Sequence, residues 1–337
     1  MIGIGSVSAG IKRPWVTALV VALLLAAVLA NVLAYAHARS MLHFVSEGQR
    51  TKPPEELAWH EKLRVLVVGI DLPHPTNDRS PGDLSLSHAV HRFSTADGLE
   101  LEGWWIPCAS ARAVVVLFHG YASTKSALLE EAKAFHDLGF ACFLVDHRGH
   151  GGSAGDETSI GYREAEDVTA AVDFVCNHLD QTSPTVLYGQ SMGGVSIFRA
   201  LSIRRVDPEA VVVEAIYDET LNAIGNRFHA MGLPSFPGAE LLCLWGGAQM
   251  GFSARRHNPV EYARAIQVPV LMLQGTEDVR ATPEQARRVF AELSGKKTLV
   301  AFPGSGHESL YRRAPALWKS EVGAFLASVF GEGARRD

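Results

Sequence analysis

The chain has 337 residues, 47% of them apolar, which is enough to bury at least one full core and excludes a disulfide-stapled miniprotein or a mainly disordered chain. A formal net charge of -5 and a pI near 6.3 leave no basic field along the molecule, which argues against nucleic acid as a partner. The four cysteines, Cys108, Cys142, Cys176 and Cys243, lie far apart with no CxxC or His-paired spacing, so they read as reduced packing residues rather than a zinc or redox site.

From Trp15 to Ala36 no side chain is charged, and as a helix the run WVTALVVALLLAAVLANVLAYA would cover roughly 33 Å, enough to cross a bilayer. It is apolar all round, where a helix packed on a soluble surface keeps a polar face. Lys12 and Arg13 precede it, and Arg39 is the only Lys or Arg in the ten residues after it. This bias predicts a cytoplasmic segment 1–14, a membrane anchor over 15–36 and an extracytoplasmic catalytic domain. The rival expectation is a secreted protein, because Ala34-Tyr35-Ala36 has the form of a signal-peptidase site, although the apolar run exceeds the usual h-region. Residues 37–83, broken by Pro53-Pro54, Pro73, Pro75 and Pro81, read as a tether and collar without chemistry of their own. Within them, Pro53-Pro54-Glu55-Glu56 looks like a helix start, predicting a helix to about Val68.

From residue 84 onward, short β-branched runs alternate with helical periods, the pattern of an α/β fold with a mostly parallel sheet. Strands are predicted over His88–Ser94 and Leu99–Ile106, joined at Asp97-Gly98, a strong hairpin signal. Nearly continuous apolar runs over Ala113–Phe118, Ala141–Asp146, Thr185–Tyr188, Ala210–Tyr217, Val268–Gln274 and Thr298–Phe302 read as strands covered on both faces. Helices fit between them, near Thr124–Leu138, Gly161–Leu179, Met192–Arg204, Pro283–Leu293 and Ala314–Phe330. Thr220–Gln267 is too long for a simple crossover and reads as an insertion over the carboxyl edge of the sheet. The core is accordingly expected over 84–219 and 268–337, with a cap over 220–267.

Gly189-Gln190-Ser191-Met192-Gly193-Gly194 sits where a strand ends and a helix begins. In such an elbow the serine has strained backbone geometry, the flanking glycines avoid collisions across the turn, and the hydroxyl stands at a helix start that favours developing negative charge. A serine hydroxyl needs a base and a group to orient that base. Asp278, in the loop after the strand ending at Gln274, and His307, in the loop after Phe302, follow in the order Ser, acid, His, and all three loops belong to one sheet edge. The amide of Met192 and that of Tyr121, in Phe118-His119-Gly120-Tyr121, are the candidates for an oxyanion hole. His119, His147 and His150 read as residues that shape their loops rather than as bases or metal ligands.

These motifs together resemble the α/β-hydrolase superfamily, specifically its serine-nucleophile branch near the serine aminopeptidases and monoacylglycerol-lipase-like proteins. The resemblance covers about residues 84–330 and rests on Asp97-Gly98-Leu99 with Gly103-Trp104, His119-Gly120, Val145 to Gly151, Gly189 to Gly194, Val268-Pro269-Val270 before Gly275 to Asp278, and Gly306-His307. It implies an eight-stranded sheet flanked by helices, a Ser191, Asp278, His307 triad, a helical cap after the sixth strand and no metal or organic cofactor. Arg280 and Ala281 depart from the pattern, since many relatives carry apolar residues there.

The cap is apolar, and Met231, Phe236, Trp245 and Phe252 are its candidate substrate contacts, suited to an acyl chain. The equally weighted alternative is that such side chains only pack the cap onto the sheet. Arg255, Arg256 and His257 are read as facing solvent rather than lipid headgroups. The leading expectation is a membrane-tethered serine hydrolase that cleaves a small or lipid-like carboxylic ester through an acyl-enzyme. Acyl transfer, thioester or peptide cleavage by the same triad, and a non-catalytic binding protein, are the alternatives.

Overall fold

The computed structural model describes residues 14–203 and 205–331. The segment 1–14 expected in the cytoplasm, with Lys12 and Arg13, therefore lies outside the described residues apart from Pro14. Eight strands form one sheet: β1 (Ala89–Ser94), β2 (Glu100–Ile106), β3 (Val114–Phe118), β4 (Ala141–Val145), β5 (Thr185–Gln190), β6 (Ala210–Glu214), β7 (Val270–Gly275) and β8 (Lys297–Phe302). Their spatial order is β1-β2-β4-β3-β5-β6-β7-β8. The sheet is mixed: β1 and β2 form an antiparallel hairpin, β2 meets β4 antiparallel, and all remaining pairs are parallel. Every residue of β3, β4, β6 and β7 is buried, as their unbroken apolar runs require of strands sandwiched between helices.

One face of the sheet packs α4 (Glu164–Phe174), α5 (Met192–Ser202), α8 (Pro259–Ala263) and α9 (Pro283–Glu292) around Val168, Val195, Phe198, Ala263 and Val289. The other packs α3 (Leu129–Asp137), α10 (Leu310–Arg313) and α11 (Pro315–Phe330) around Leu129, Phe135, Tyr188, Leu310 and Trp318. The insertion after β6 carries α6 (Thr220–Ala230) and α7 (Gly238–Met250). Its end returns to the core, because Ala263 and Ile266 are buried against the first face.

Two α-helices precede the sheet among the described residues. Helix α1 (Pro14–Leu42) continues six residues past Ala36. Its amino-terminal part is exposed and strongly apolar, with a mean hydropathy of 2.7 over its most apolar window. Its last turns bury Ala34, Ala38, Met41 and Leu42. Ala34, Ala38 and Met41 pack with α7 and with α2 (Trp59–Val68) in a cluster that includes Val65, Phe228 and Leu242. The helix expected from Pro53 is broken: one 3-10 turn covers Pro54–Glu56 and α2 starts only at Trp59. Leu57 is extended (φ -72°, ψ 130°), which turns its side chain into the cluster, where it is buried. That burial outweighs one more turn of helix.

Candidate active site

The elbow between β5 and α5 is built by close approach. A Cβ on Gly193 would lie 2.2 Å from the carbonyl oxygen of Phe118, and one on Gly189 would lie 2.5 Å from the amide nitrogen of Gly194. Neither contact is tolerable, so both positions exclude a side chain. Ser191 itself has φ 50° and ψ -113°, a backbone state that non-glycine residues adopt only when the surroundings hold them there. Its amide donates to the Glu214 carbonyl at 2.8 Å, fixing the elbow to the end of β6.

Ser191 Oγ lies 3.1 Å from His307 Nε2, and His307 Nδ1 lies 2.7 Å from Asp278 Oδ2. If Nδ1 carries the proton that Asp278 accepts, Nε2 is left as the acceptor for the serine hydroxyl. Asp278 is buried, and its other oxygen accepts from the amides of Arg280 and Ala281 at 2.8 and 2.9 Å. The carboxylate thus both shapes its own turn and meets the histidine. Arg280, the departure from the family pattern, reaches outward to the Glu55 carboxylate on the collar, with Nε 3.1 Å from Oε1.

Met192 opens α5, and Tyr121 follows β3 in a loop whose Ala122 has φ 51°. The Tyr121 hydroxyl donates to the Met41 carbonyl of α1 at 2.5 Å. Behind this loop His119, His147 and His150 are fully buried. His119 Nε2 accepts from the His147 amide at 3.1 Å, and its other nitrogen lies 2.8 Å from the Gly120 carbonyl. Burial and the neighbouring His150 and His147 hold His119 well below its ordinary pKa, and burial lowers His150 to about 4. His119 and His150 are therefore neutral packing groups behind the loop.

Ser191 and His307 open into a cavity of about 640 Å³. Its apolar wall includes Met41, Leu57, Ile70, Phe228, Met231 and Leu242, drawn from α1, from the segment between α1 and the sheet, and from the insertion after β6. Of the four cap residues singled out from sequence, only Met231 lines it. Phe236 is 74% exposed at the cap surface. The Trp245 indole donates to Asn31 at 3.1 Å and meets Tyr35 edge-on, which ties α7 to α1. Phe252 stacks on Tyr162 with ring centroids 3.8 Å apart. An apolar residue type predicts burial but not the partner, and here α1 supplies the partner for Trp245. His37, Met41, Arg50 and Arg227 line the cavity and were not expected to. For α1 the signal was present: Ala34, Ala38, Met41 and Leu42 follow one another at i, i+4, i+7 and i+8, a stripe that continues the helix beyond the charge-free run.

A family model for serine aminopeptidase, S33, matches residues 109–217, and one for the prolyl oligopeptidase family matches 245–333. The first contains Ser191 and the second Asp278 and His307. The chain is 25% identical to YfhR of Escherichia coli over 270 residues, 78% of this chain and 88% of that one. It is 32% identical to a monoacylglycerol lipase of Mycolicibacterium smegmatis over 118 residues, 34% of this chain and 42% of the lipase. The Pyrococcus furiosus esterase Pf2001 superimposes with a TM-score of 0.65 at 24% identity, covering 77% of this chain and 97% of the esterase, a likeness of fold. The chain belongs to the α/β-hydrolase superfamily, and these families and relatives make it a hydrolase.

Proposed function

We propose that this chain is a membrane-anchored serine hydrolase that cleaves carboxylic esters with a long apolar part, using Ser191, His307 and Asp278. The observation that carries the reading is the unbroken hydrogen-bond relay from Ser191 Oγ through His307 to Asp278, at 3.1 and 2.7 Å, opening on a largely apolar cavity. His307 Nε2 takes the serine proton as Oγ attacks the ester carbonyl, and Asp278 stabilises the imidazolium that results. The oxyanion of the tetrahedral intermediate is met by the Met192 and Tyr121 amides. Collapse expels the alcohol, which receives the proton from His307, and a water then repeats the sequence to release the acid and regenerate Ser191.

The ester reading is favoured by the apolar walls, which suit an acyl chain better than a peptide backbone with its many polar groups. Amide cleavage is the second reading, favoured by the two peptidase family matches. A bilayer-spanning α1 is supported by its hydropathy and by Leu23, Leu24, Leu25 and Leu29, all exposed. Trp59, Leu63 and Val67 add a second exposed apolar stripe along α2, spaced by four residues beside the end of α1, which fits a helix lying at the membrane surface. Lys12 and Arg13 ahead of the span orient the catalytic domain outside the cytoplasm.

The test uses the full-length chain in detergent with a fluorophosphonate probe. Wild type is expected to label and to hydrolyse long-chain p-nitrophenyl esters, with both signals abolished by Ser191→Ala. Wild type that fails to label, or equal labelling of the variant, removes the proposal. Faster turnover of aminoacyl p-nitroanilides than of the esters converts it to the peptidase reading.

A further inference from the structure

The charges around the catalytic cavity are unevenly paired. Three of the charged side chains that line it have partners: Lys52 with Glu61 at 3.0 Å, Asp71 with Arg64 at 2.6 Å, and Arg280 with Glu55. Glu308, at the rim, is 3.3 Å from the Gly306 amide and 3.9 Å from Arg313. Two cations differ. Arg50, exposed at the mouth, and Arg227, half-buried on α6, form no ion pair among the described residues. Among the described residues the Arg227 guanidinium donates one hydrogen bond, to the Ala223 carbonyl at 3.4 Å, and its central carbon lies 5.8 Å from the ring centroid of Tyr121. Burial pushes this guanidinium below its ordinary pKa, and nearby Arg280 adds to the effect.

A desolvated cation without a counter-ion is costly, and a fold that keeps one beside a reactive serine gains most when a ligand brings the missing anion. The guanidinium fork is also matched in geometry to the two coplanar oxygens of a phosphate or carboxylate. The rest of the wall is apolar. We propose that Arg227, assisted by Arg50 at the mouth, is an anion-recognition site inside the cavity, and that the substrate is an anionic amphiphile whose ester is held between this charge and the apolar wall. The inference rests on the ester hydrolase reading. It narrows that reading from esters in general to esters that carry a phosphate or carboxylate on the molecule to be cleaved.

The experiment compares three esters with one scissile bond, presented to the full-length chain in neutral detergent micelles: 1-oleoylglycerol, 1-oleoylglycerol 3-phosphate and 3-oleoylglycerate. At least one anionic ester is expected to exceed the neutral one tenfold or more in kcat/KM, and the better of the two identifies the group as phosphate or carboxylate. Arg227→Gln is expected to shrink that ratio about tenfold, and Arg227→Lys to restore part of it. A ratio near one in wild type, or a ratio that Arg227→Gln leaves unchanged, overturns the proposal. Binding is measured separately, by titrating the full-length Ser191→Ala chain with oleyl phosphate, oleate and oleyl alcohol. If an anion binds at least tenfold tighter than the alcohol and loses that advantage with Arg227→Gln, the site stands even where no ester is turned over and only the hydrolase reading fails. Equal binding of all three sinks the site whatever the turnover.

Discussion

At Asp278 one side chain serves two demands. Oδ1 closes the turn through the Arg280 and Ala281 amides, and Oδ2 faces His307. Asp278→Asn separates the two. The amide oxygen can keep both turn contacts, so the fold should stand, while the amide nitrogen then points a donor at the Nδ1–H of His307 and favours the wrong tautomer. The expected outcome is a fall in kcat of roughly 10⁴-fold, the scale found when a triad acid is amidated. The melting temperature is expected to change by only a few degrees. A variant with more than a tenth of wild-type kcat would remove Asp278 from the catalytic role. The positions of Ser191, Asp278 and His307 were legible because a strand-to-helix elbow and two loops at strand ends are local patterns, and a parallel sheet delivers such loops to one edge. Arg227 was not legible. Nothing near it in sequence tells that its guanidinium ends in the cavity without an acid, since that depends on where the acids of distant segments fall.

Among the elements, α1 has two jobs along its length under the proposed anchoring. Up to about residue 30 its side chains are exposed and strongly apolar, as the proposed bilayer span requires. From Ala34 onward the same helix is a wall of the protein, with Ala34 and Ala38 small enough to let α7 approach and Met41 reaching the cavity. Composition alone marks the first job and ends the span at Ala36, where His37 and Arg39 interrupt the apolar run; the second needs the partner helix and so escaped a one-dimensional reading. Two deletions separate the jobs. A chain lacking residues 1–28 keeps every buried residue of α1 and is expected to retain the melting temperature and long-chain ester turnover of the full chain in detergent. A chain lacking residues 1–42 loses the burial of Ala34, Ala38, Met41 and Leu42, each methylene being worth about 0.8 kcal/mol. It is expected to melt several degrees lower and to lose more than tenfold in kcat/KM on long-chain esters. Equal behaviour of the two deletions would show that the carboxyl end of α1 is dispensable to the cavity.

On the scale of the whole molecule, the sheet gathers Ser191, Asp278 and His307 at one edge, and α1, the collar and the insertion after β6 enclose that edge. Helix α1, the collar and the insertion after β6 meet one another over the cavity, and the hydroxyl of Tyr121, whose amide is the oxyanion candidate, donates to the Met41 carbonyl of α1. The cavity is therefore tied to the end of α1, and under the proposed anchoring the protein's working distance from the bilayer is set by its own covalent chain. A tether of this kind makes substrate in the same bilayer effectively concentrated, whereas substrate in another bilayer must first cross water. Long-chain esters exchange slowly between vesicles, so the two situations can be prepared separately. Full-length protein reconstituted with 1-oleoyl-2-acyl esters in one vesicle population is expected to hydrolyse them at least tenfold faster than protein vesicles mixed with separate vesicles holding the same total ester. The chain lacking residues 1–28, added from solution, is expected to lose this preference for either population while keeping its turnover in detergent. Equal rates for shared and separate vesicles with the full-length chain would mean that α1 does not direct the cavity to its own membrane, and the tethering role would have to be given up while the triad chemistry stood unaffected.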